Sequence, residues 1–196
     1  MLLIVSATEM EIKSFIHLKN KFNNLKFLVC GIGLVNSIWN VTQFLLKNKK
    51  IKKVLLTGIC GGFRDKTEIG EILIANEEIL GDFGVCFNEK VEYFNSNKIK
   101  IMGKYNLPYK KGAFLTVNCV TTNKDRIEFY KKKFSPISEN MEGYGIAYIC
   151  NKLDIEFIEI RAVSNFVGDR KFWNIKLALE NLKNESKKII ERICES

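Results

Sequence analysis

The sequence predicts an α/β protein on a mostly parallel or mixed sheet, and three observations carry that expectation. Apolar, β-branched runs alternate with stretches whose apolar residues recur at helical spacing. Some of these runs are apolar throughout, as strands covered on both faces should be. Polar or glycine-bearing segments begin where the runs stop, the place where open α/β sheets form their sites.

The first run covers residues 1–5. Thr8 then stands where it can cap a helix, and Glu11 completes a capping box three residues on. A second strand is predicted at 26–30, closed by Gly31-Ile32-Gly33. After it Leu34, Ile38, Val41 and Leu45 fall on one helical face. The run at 53–56 is a third strand, with a glycine loop expected at 58–62. Strands follow at 71–80 and 112–117, and helices at 122–132 and 141–153, the latter despite Gly143 and Gly145. A long β-branched strand is expected at 155–163, ending in a polar loop at 164–170. The tail from Trp173 to Cys194 reads as an amphipathic helix with Ile175, Leu179, Leu182, Ile189 and Ile193 on one stripe.

With 196 residues, 46% of them hydrophobic, the chain suits one domain spanning 1–196. Two prolines and no Ser/Gly-rich tract give no linker. The net charge of +9 comes from short lysine clusters at the ends of helical patterns, where they complement the helix dipole. They are not interleaved with aromatic residues as single-strand binders require, so no nucleic-acid partner is expected. Six scattered cysteines form no CxxC pair, which gives no support to a metal or redox site and fits a reducing compartment. The apolar start is too short for a signal peptide or a membrane span, so the expected location is cytoplasmic, with no membrane partner.

Two glycine segments invite comparison with phosphate-binding loops. Gly31-Ile32-Gly33 lacks the third glycine of a dinucleotide fingerprint, and Gly58-Ile59-Cys60-Gly61-Gly62 lacks the Lys-Ser/Thr of a P-loop. Each is read either as tight turning after a strand or as close backbone approach to a flat ligand.

The most informative stretch is Glu139-Asn140-Met141-Glu142-Gly143 followed by Arg161-Ala162-Val163-Ser164-Asn165-Phe166-Val167-Gly168-Asp169-Arg170. It sets a carboxylate at the start of one element and a second polar cluster at the end of the next. Taken with the alanine- and glutamate-bearing first loop, the Gly-Ile-Gly segment and Thr57-Gly58-Ile59-Cys60-Gly61-Gly62, it resembles the nucleoside phosphorylase and methylthioadenosine nucleosidase superfamily. The elements occur in the family's order from Ala7 to Asn165. The segment Val167-Gly168-Asp169-Arg170 with Trp173 resembles the futalosine hydrolase branch more than the methylthioadenosine branch.

The resemblance implies a single-domain three-layer α/β/α sandwich around a mixed, twisted central sheet, with a small-molecule purine nucleoside as substrate. It implies no cofactor and no metal, and a homodimer in which a neighbour's loop closes the 5′ side. Glu142 would accept the two ribose hydroxyls and face the positive charge that develops on the sugar. Met141 would pack under the ribose. Glu11 would orient and deprotonate water, and Arg161 would help position that water and its base. Ile59 and Gly61 belong to the ribose and base floor, Val120 and Thr121 to the purine face, and Ser164 to the purine segment. Ile59 stands where related nucleosidases often carry Ser. The acidic first loop, without arginine, favours water over phosphate as nucleophile. The simpler roles are a capping glutamate for Glu11, an exposed helix-start glutamate for Glu142 and a strand-edge salt bridge for Arg161.

Asn165 discriminates among substrates. Adenine-specific relatives carry Asp here, which when protonated can donate to N7 while accepting from the 6-amino group. An amide can donate to a 6-oxo group and accept from N7–H of the departing base. Set against a 6-amino group it would leave donor facing donor, a loss on the order of 1–3 kcal/mol. The expected reaction is therefore hydrolysis of futalosine to hypoxanthine and dehypoxanthine futalosine, a step of menaquinone biosynthesis. The alternatives are a methylthioadenosine/S-adenosylhomocysteine nucleosidase, a purine nucleoside phosphorylase, and a nonenzymatic nucleoside- or RNA-binding protein.

Overall fold

The structure is a computed structural model that describes residues 1–87, 90–94, 97–101, 105–169 and 171–195, with only the backbone at Cys86 and Lys90. Arg170, part of the informative stretch, lies outside the described residues.

In chain order the elements are β1 (Leu2–Ser6), α1 (Glu9–Ile16), β2 (Leu25–Val29), α2 (Leu34–Lys47), β3 (Lys53–Gly62), β4 (Ile72–Leu80), β5 (Gly84–Phe87), β6 (Lys90–Tyr93), β7 (Lys98–Lys100), β8 (Lys110–Thr116), α3 (Lys124–Phe134), β9 (Ser138–Asn140), α4 (Gly143–Lys152), β10 (Glu156–Phe166) and α5 (Ile175–Cys194). Strands β2, β1, β3 and β10 run parallel. Strand β4 is antiparallel to β10 and parallel to β8, and β9 joins β8 in parallel and β3 in antiparallel pairing. The mixed sheet therefore curls until β3, β10, β4, β8 and β9 form a closed ring, with β1 and β2 extending from it.

Alternation along β1 shows how the layers form. Leu2 and Ile4 join Ile12, Phe15, Leu182, Ile189 and Ile193 on the face covered by α1 and α5. Leu3 and Val5 join Val41, Leu45, Ile146, Ala147 and Cys150 on the face covered by α2 and α4. The result is the expected α/β/α arrangement. Helix α3 covers a smaller cluster in which Tyr130 packs with Phe63, Ile79, Leu115 and Val117. Its start is capped by Asn123, and Lys131, Lys132 and Lys133 occupy its last turn. The α5 stripe is buried at Leu182, Ile189 and Ile193 and half-buried at Ile175 and Leu179.

Two expected loops are largely strand. Residues 58–62 continue β3, and β10 runs on to Phe166, the two pairing as far as Phe166 with Gly62 across a bulge between Val163 and Asn165. The glycines do not turn the chain here. They remove side chains where functional groups approach: a Cβ at Gly58 would sit 2.3 Å from Glu11 Oε1, and one at Gly61 3.4 Å from Asn165 Nδ2. The short strands β5, β6, β7 and β9 carry little apolar periodicity, which hides them from a sequence reading.

Candidate active site

A pocket of about 290 Å³ opens at the ends of β1, β3, β9 and β10. Glu11, Ile59, Gly61, Val120, Met141, Glu142, Arg161, Ser164 and Asn165 all line it. A second cleft of about 410 Å³ at the far end of the sheet sets Lys52, Asn151, Asp154 and Glu156 around the buried Ala147, Cys150 and Phe157.

Glu11 is placed by the helix it starts. Thr8 caps α1, and Glu11 Oε2 accepts from the Thr8 amide at 2.9 Å and its hydroxyl at 2.8 Å. The other oxygen accepts from the Ile59 amide at 3.0 Å. The capping role and a place in the pocket thus coexist in one side chain.

Glu142 occupies the N-cap position of α4 but makes no side-chain cap bond, and it is 3% exposed. Its Oε1 accepts from the Gly33 amide at 3.0 Å, and its Oε2 from Arg161 Nη2 at 3.1 Å. Gly33 supplies that amide from a backbone with φ of +84°, a conformation glycine adopts readily. The exposed helix-start role is therefore not the one observed. Each oxygen keeps a second lone pair for a ligand hydroxyl.

Arg161 is buried at the centre of the ring rather than at a strand edge. Its Nε donates to Glu159 Oε1 at 2.8 Å, its Nη2 to Glu142 and its Nη1 to the Ile59 carbonyl at 3.1 Å. Burial alone would lower its pKa, but the carboxylates of Glu159, Glu142 and Glu11 raise it above the ordinary value. Among the described residues its ion pairs are with Glu142 and Glu159, so it braces Glu142 more directly than Glu11.

Ser164 and Asn165 close the pocket at the end of β10. The Ser164 hydroxyl lies 2.8 Å from Asn165 Oδ1, and Asn165 Nδ2 donates to the Phe166 carbonyl at 3.2 Å. Thr121 stands behind the wall instead of on it: its amide donates to Glu139 Oε1 at 3.0 Å. Glu139 lines the pocket, and burial raises its pKa above its ordinary value. Phe83 and Phe87 are exposed and do not line this pocket. Asp82 has a visible role: it accepts from the amide and side chain of Asn118 at 2.7 and 3.1 Å, pinning the segment that leads to Val120. His17 is exposed at the end of α1.

Sequence reasoning assigned no role to Asn140, yet its Oδ1 accepts from the amides of Glu142 and Gly143 at 2.9 and 2.8 Å and so orients the start of α4. Its position beside Met141 in the informative stretch was the available signal. Met10, Ile32, Cys60, Trp173 and Ile175 also line the pocket. Burial pushes the Cys60 thiol up to about 12, so it contributes an apolar surface and not a nucleophile. Among the described residues no group of three or more His, Cys, Asp or Glu side chains is arranged to hold a metal ion. Among them, too, no helix is long and apolar enough to cross a membrane.

The fold and this ordered set of pocket residues define a class: the chain belongs to the phosphorylase superfamily, whose sequence profile matches residues 13–195. Within that class it is 26% identical over 182 residues to the futalosine hydrolase of Thermus thermophilus, covering 84% of this chain and 80% of the relative. It is also 26% identical over 186 residues to a 5′-methylthioadenosine/S-adenosylhomocysteine nucleosidase of Bacillus cereus, covering 86% and 79%. A Helicobacter pylori 5′-methylthioadenosine/S-adenosylhomocysteine nucleosidase shares the fold with a TM-score of 0.84 at 19% identity, covering 100% of this chain and 98% of that one. The Helicobacter pylori futalosine hydrolase shares it with a TM-score of 0.83 at 18% identity, covering 100% and 97%.

Proposed function

We propose that this chain is a purine N-glycosyl hydrolase that cleaves futalosine to hypoxanthine and dehypoxanthine futalosine in menaquinone biosynthesis. Both curated relatives are named as enzymes of nucleoside hydrolysis, which supports the reaction class. The observation that carries the choice of base is Asn165 in the pocket wall, with Ser164 on its carbonyl side. One Nδ2 hydrogen goes to Phe166 and the other is free for a 6-oxo group; Oδ1 keeps a lone pair for N7–H.

In this reading Glu11 takes a proton from water, whose oxygen bonds to the anomeric carbon as the bond to the purine nitrogen breaks. Glu142, braced by Arg161 and Gly33, holds the ribose hydroxyls and stabilises the cationic sugar. The base leaves with its electron pair and takes a proton from solvent, and Glu11 returns its proton to solvent. Arg161 is the one cationic side chain among the described pocket residues, and it is already engaged by Glu142, Glu159 and Ile59. That leaves no cation for phosphate and supports water as nucleophile.

The reading includes a homodimer. Ile32, Val35 and Trp39 are 56%, 82% and 63% exposed at the start of α2, and Ile32 also lines the pocket, an apolar patch suited to a second copy. We take the compartment to be the reducing cytoplasm, in keeping with the free thiols of Cys30, Cys60, Cys119, Cys150 and Cys194.

The test is incubation with equimolar futalosine and methylthioadenosine, without phosphate, with the free purine identified by chromatography. Hypoxanthine alone is expected. Adenine alone would move the chain to the methylthioadenosine branch, a reading that the equal identity to both relatives also supports. A requirement for phosphate would make it a phosphorylase.

A further inference from the structure

Behind the pocket, inside the closed ring, lie two carboxyl groups that the mechanism above does not use. Glu78 on β4 and Glu159 on β10 are both 0% exposed. They converge on the space left by Gly143, where a Cβ would stand 2.1 Å from Glu78 Oε1 and 2.6 Å from Glu159 Oε2. Glu159 Oε1 accepts from Arg161 Nε, but its Oε2 faces Glu78 and, among the described residues, has no other N–H or hydroxyl donor. Glu78 accepts from Asn140 Nδ2 at 2.8 Å and Thr116 Oγ1 at 2.6 Å, both neutral. Two buried carboxyl groups this close cannot both ionise. Among the described residues Glu159 has the guanidinium as its counter-charge and Glu78 has none, so the proton belongs on Glu78.

We propose that Glu78 is a neutral acid donating a hydrogen bond to Glu159, and that Glu159 is a positioning residue fixing Arg161 and, through it, Glu142. The catalytic part rests on the nucleosidase reading; the location of the proton does not. The charged groups that face the pair are Arg161 on β10, Glu142 at the start of α4 and, beyond Arg161, Glu11 on α1.

Burial, and then the neighbouring Glu159, raise Glu78 well above its ordinary value of 4.5. The folded chain then keeps a proton that the unfolded chain releases above that value. Stability from this group is full below 4.5 and declines as pH rises toward the raised folded value. Glu78→Gln retains a donor and removes the titration. Its melting temperature should therefore gain on the parent protein steadily as pH rises above about 5. The infrared carbonyl band of a protonated acid, present in the parent at neutral pH, should be lost from this variant.

Glu159→Gln should lower kcat by about 100-fold with a smaller change in KM, because Arg161 and Glu142 lose their fixed geometry. Glu78→Gln should lose less kcat than Glu159→Gln, since a donor to Glu159 persists although its NH2 now meets Asn140 Nδ2. Should Glu159→Gln not fold, Glu159→Asp, which keeps the charge but shortens the reach, is expected to lose kcat in the same direction. A melting-temperature difference that stays flat with pH, or an acid band that survives in Glu78→Gln, would overturn the proton assignment. Unchanged kcat in the Glu159 variant, or equal loss in both variants, would overturn the positioning role. Melting and infrared readouts need no substrate, and kcat is read on whichever nucleoside the chain cleaves. A wrong substrate choice is therefore distinguishable from a wrong assignment of the pair.

Discussion

Glu11 occupies the space that a side chain at Gly58 would fill: a Cβ there would lie 2.3 Å from Oε1 and 2.9 Å from the carboxyl carbon. The carboxylate is held over the strand by Thr8 and by the Ile59 amide. Gly58→Ala should therefore fold and still lose activity. A displacement of about 1 Å at a general base is worth about 100-fold in rate. The check is kcat alongside a melting curve, and wild-type kcat in the folded variant would show that Glu11 has no critical position.

Glu11→Gln separates the cap from the chemistry. The amide oxygen can keep the Thr8 cap, but its NH2 then faces the Ile59 amide, costing about 1–3 kcal/mol of stability. Loss of the base should lower kcat by about 10²–10⁴. Affinity for substrate, measured by calorimetry, should hold because the ribose and purine contacts are untouched.

Asn165→Asp should move preference toward 6-aminopurines. Removing a matched donor and supplying an acceptor is worth about 1–3 kcal/mol per mispaired group. The ratio of kcat/KM for futalosine over methylthioadenosine should fall by roughly 5- to 150-fold. A retained hypoxanthine preference would remove the base-recognition role from this residue.

Thiol labelling should follow burial. Burial pushes Cys30, Cys60 and Cys150 up to about 12, whereas Cys119 and Cys194 are exposed. Alkylation of the native protein at about pH 8, mapped by peptide mass, should modify Cys119 and Cys194 first and the three buried thiols only after unfolding. Early labelling of Cys60 would mean that the pocket floor opens.

Gly143→Ala should be among the most damaging single-methyl changes. The added carbon would meet Glu78 and Glu159 oxygens inside the ring, where neither carboxyl can retreat to water. A loss of about 3 kcal/mol is expected in denaturant titration, the upper range for overpacking.

Periodicity made the main strands and helices α2 and α5 legible, and a capping box marked α1, because the apolar runs of β1, β3 and β10 and the stripe of α5 report their own burial. The pocket residues were legible as a set because β1, β3, β9 and β10 each deliver one short motif to the same end of the sheet. What stayed hidden is what local pattern cannot express. Strand β9 is three buried polar residues, Ser138, Glu139 and Asn140, whose burial depends on partners far along the chain. Glu78 and Glu159 read as ordinary alternating polar positions of strands, and only ring closure turns them inward together. Arg161 was expected to help position Glu11 and its water; its hydrogen bonds run to Glu159, the Ile59 carbonyl and Glu142, a set fixed by the ring geometry.

The insertion of β10 between β3 and β4 sets a timetable for synthesis. Strands β3 and β4 leave the ribosome long before β10, which begins about 90 residues after β3 ends. At roughly 5–20 residues per second, the nascent chain spends several seconds with two central strands unpaired along facing edges. Those edges are apolar and open to mispairing during that interval. Arrival of β10 fills the gap and brings Arg161 and Asn165 to the pocket in the same event, so catalytic competence and protection from aggregation are acquired together.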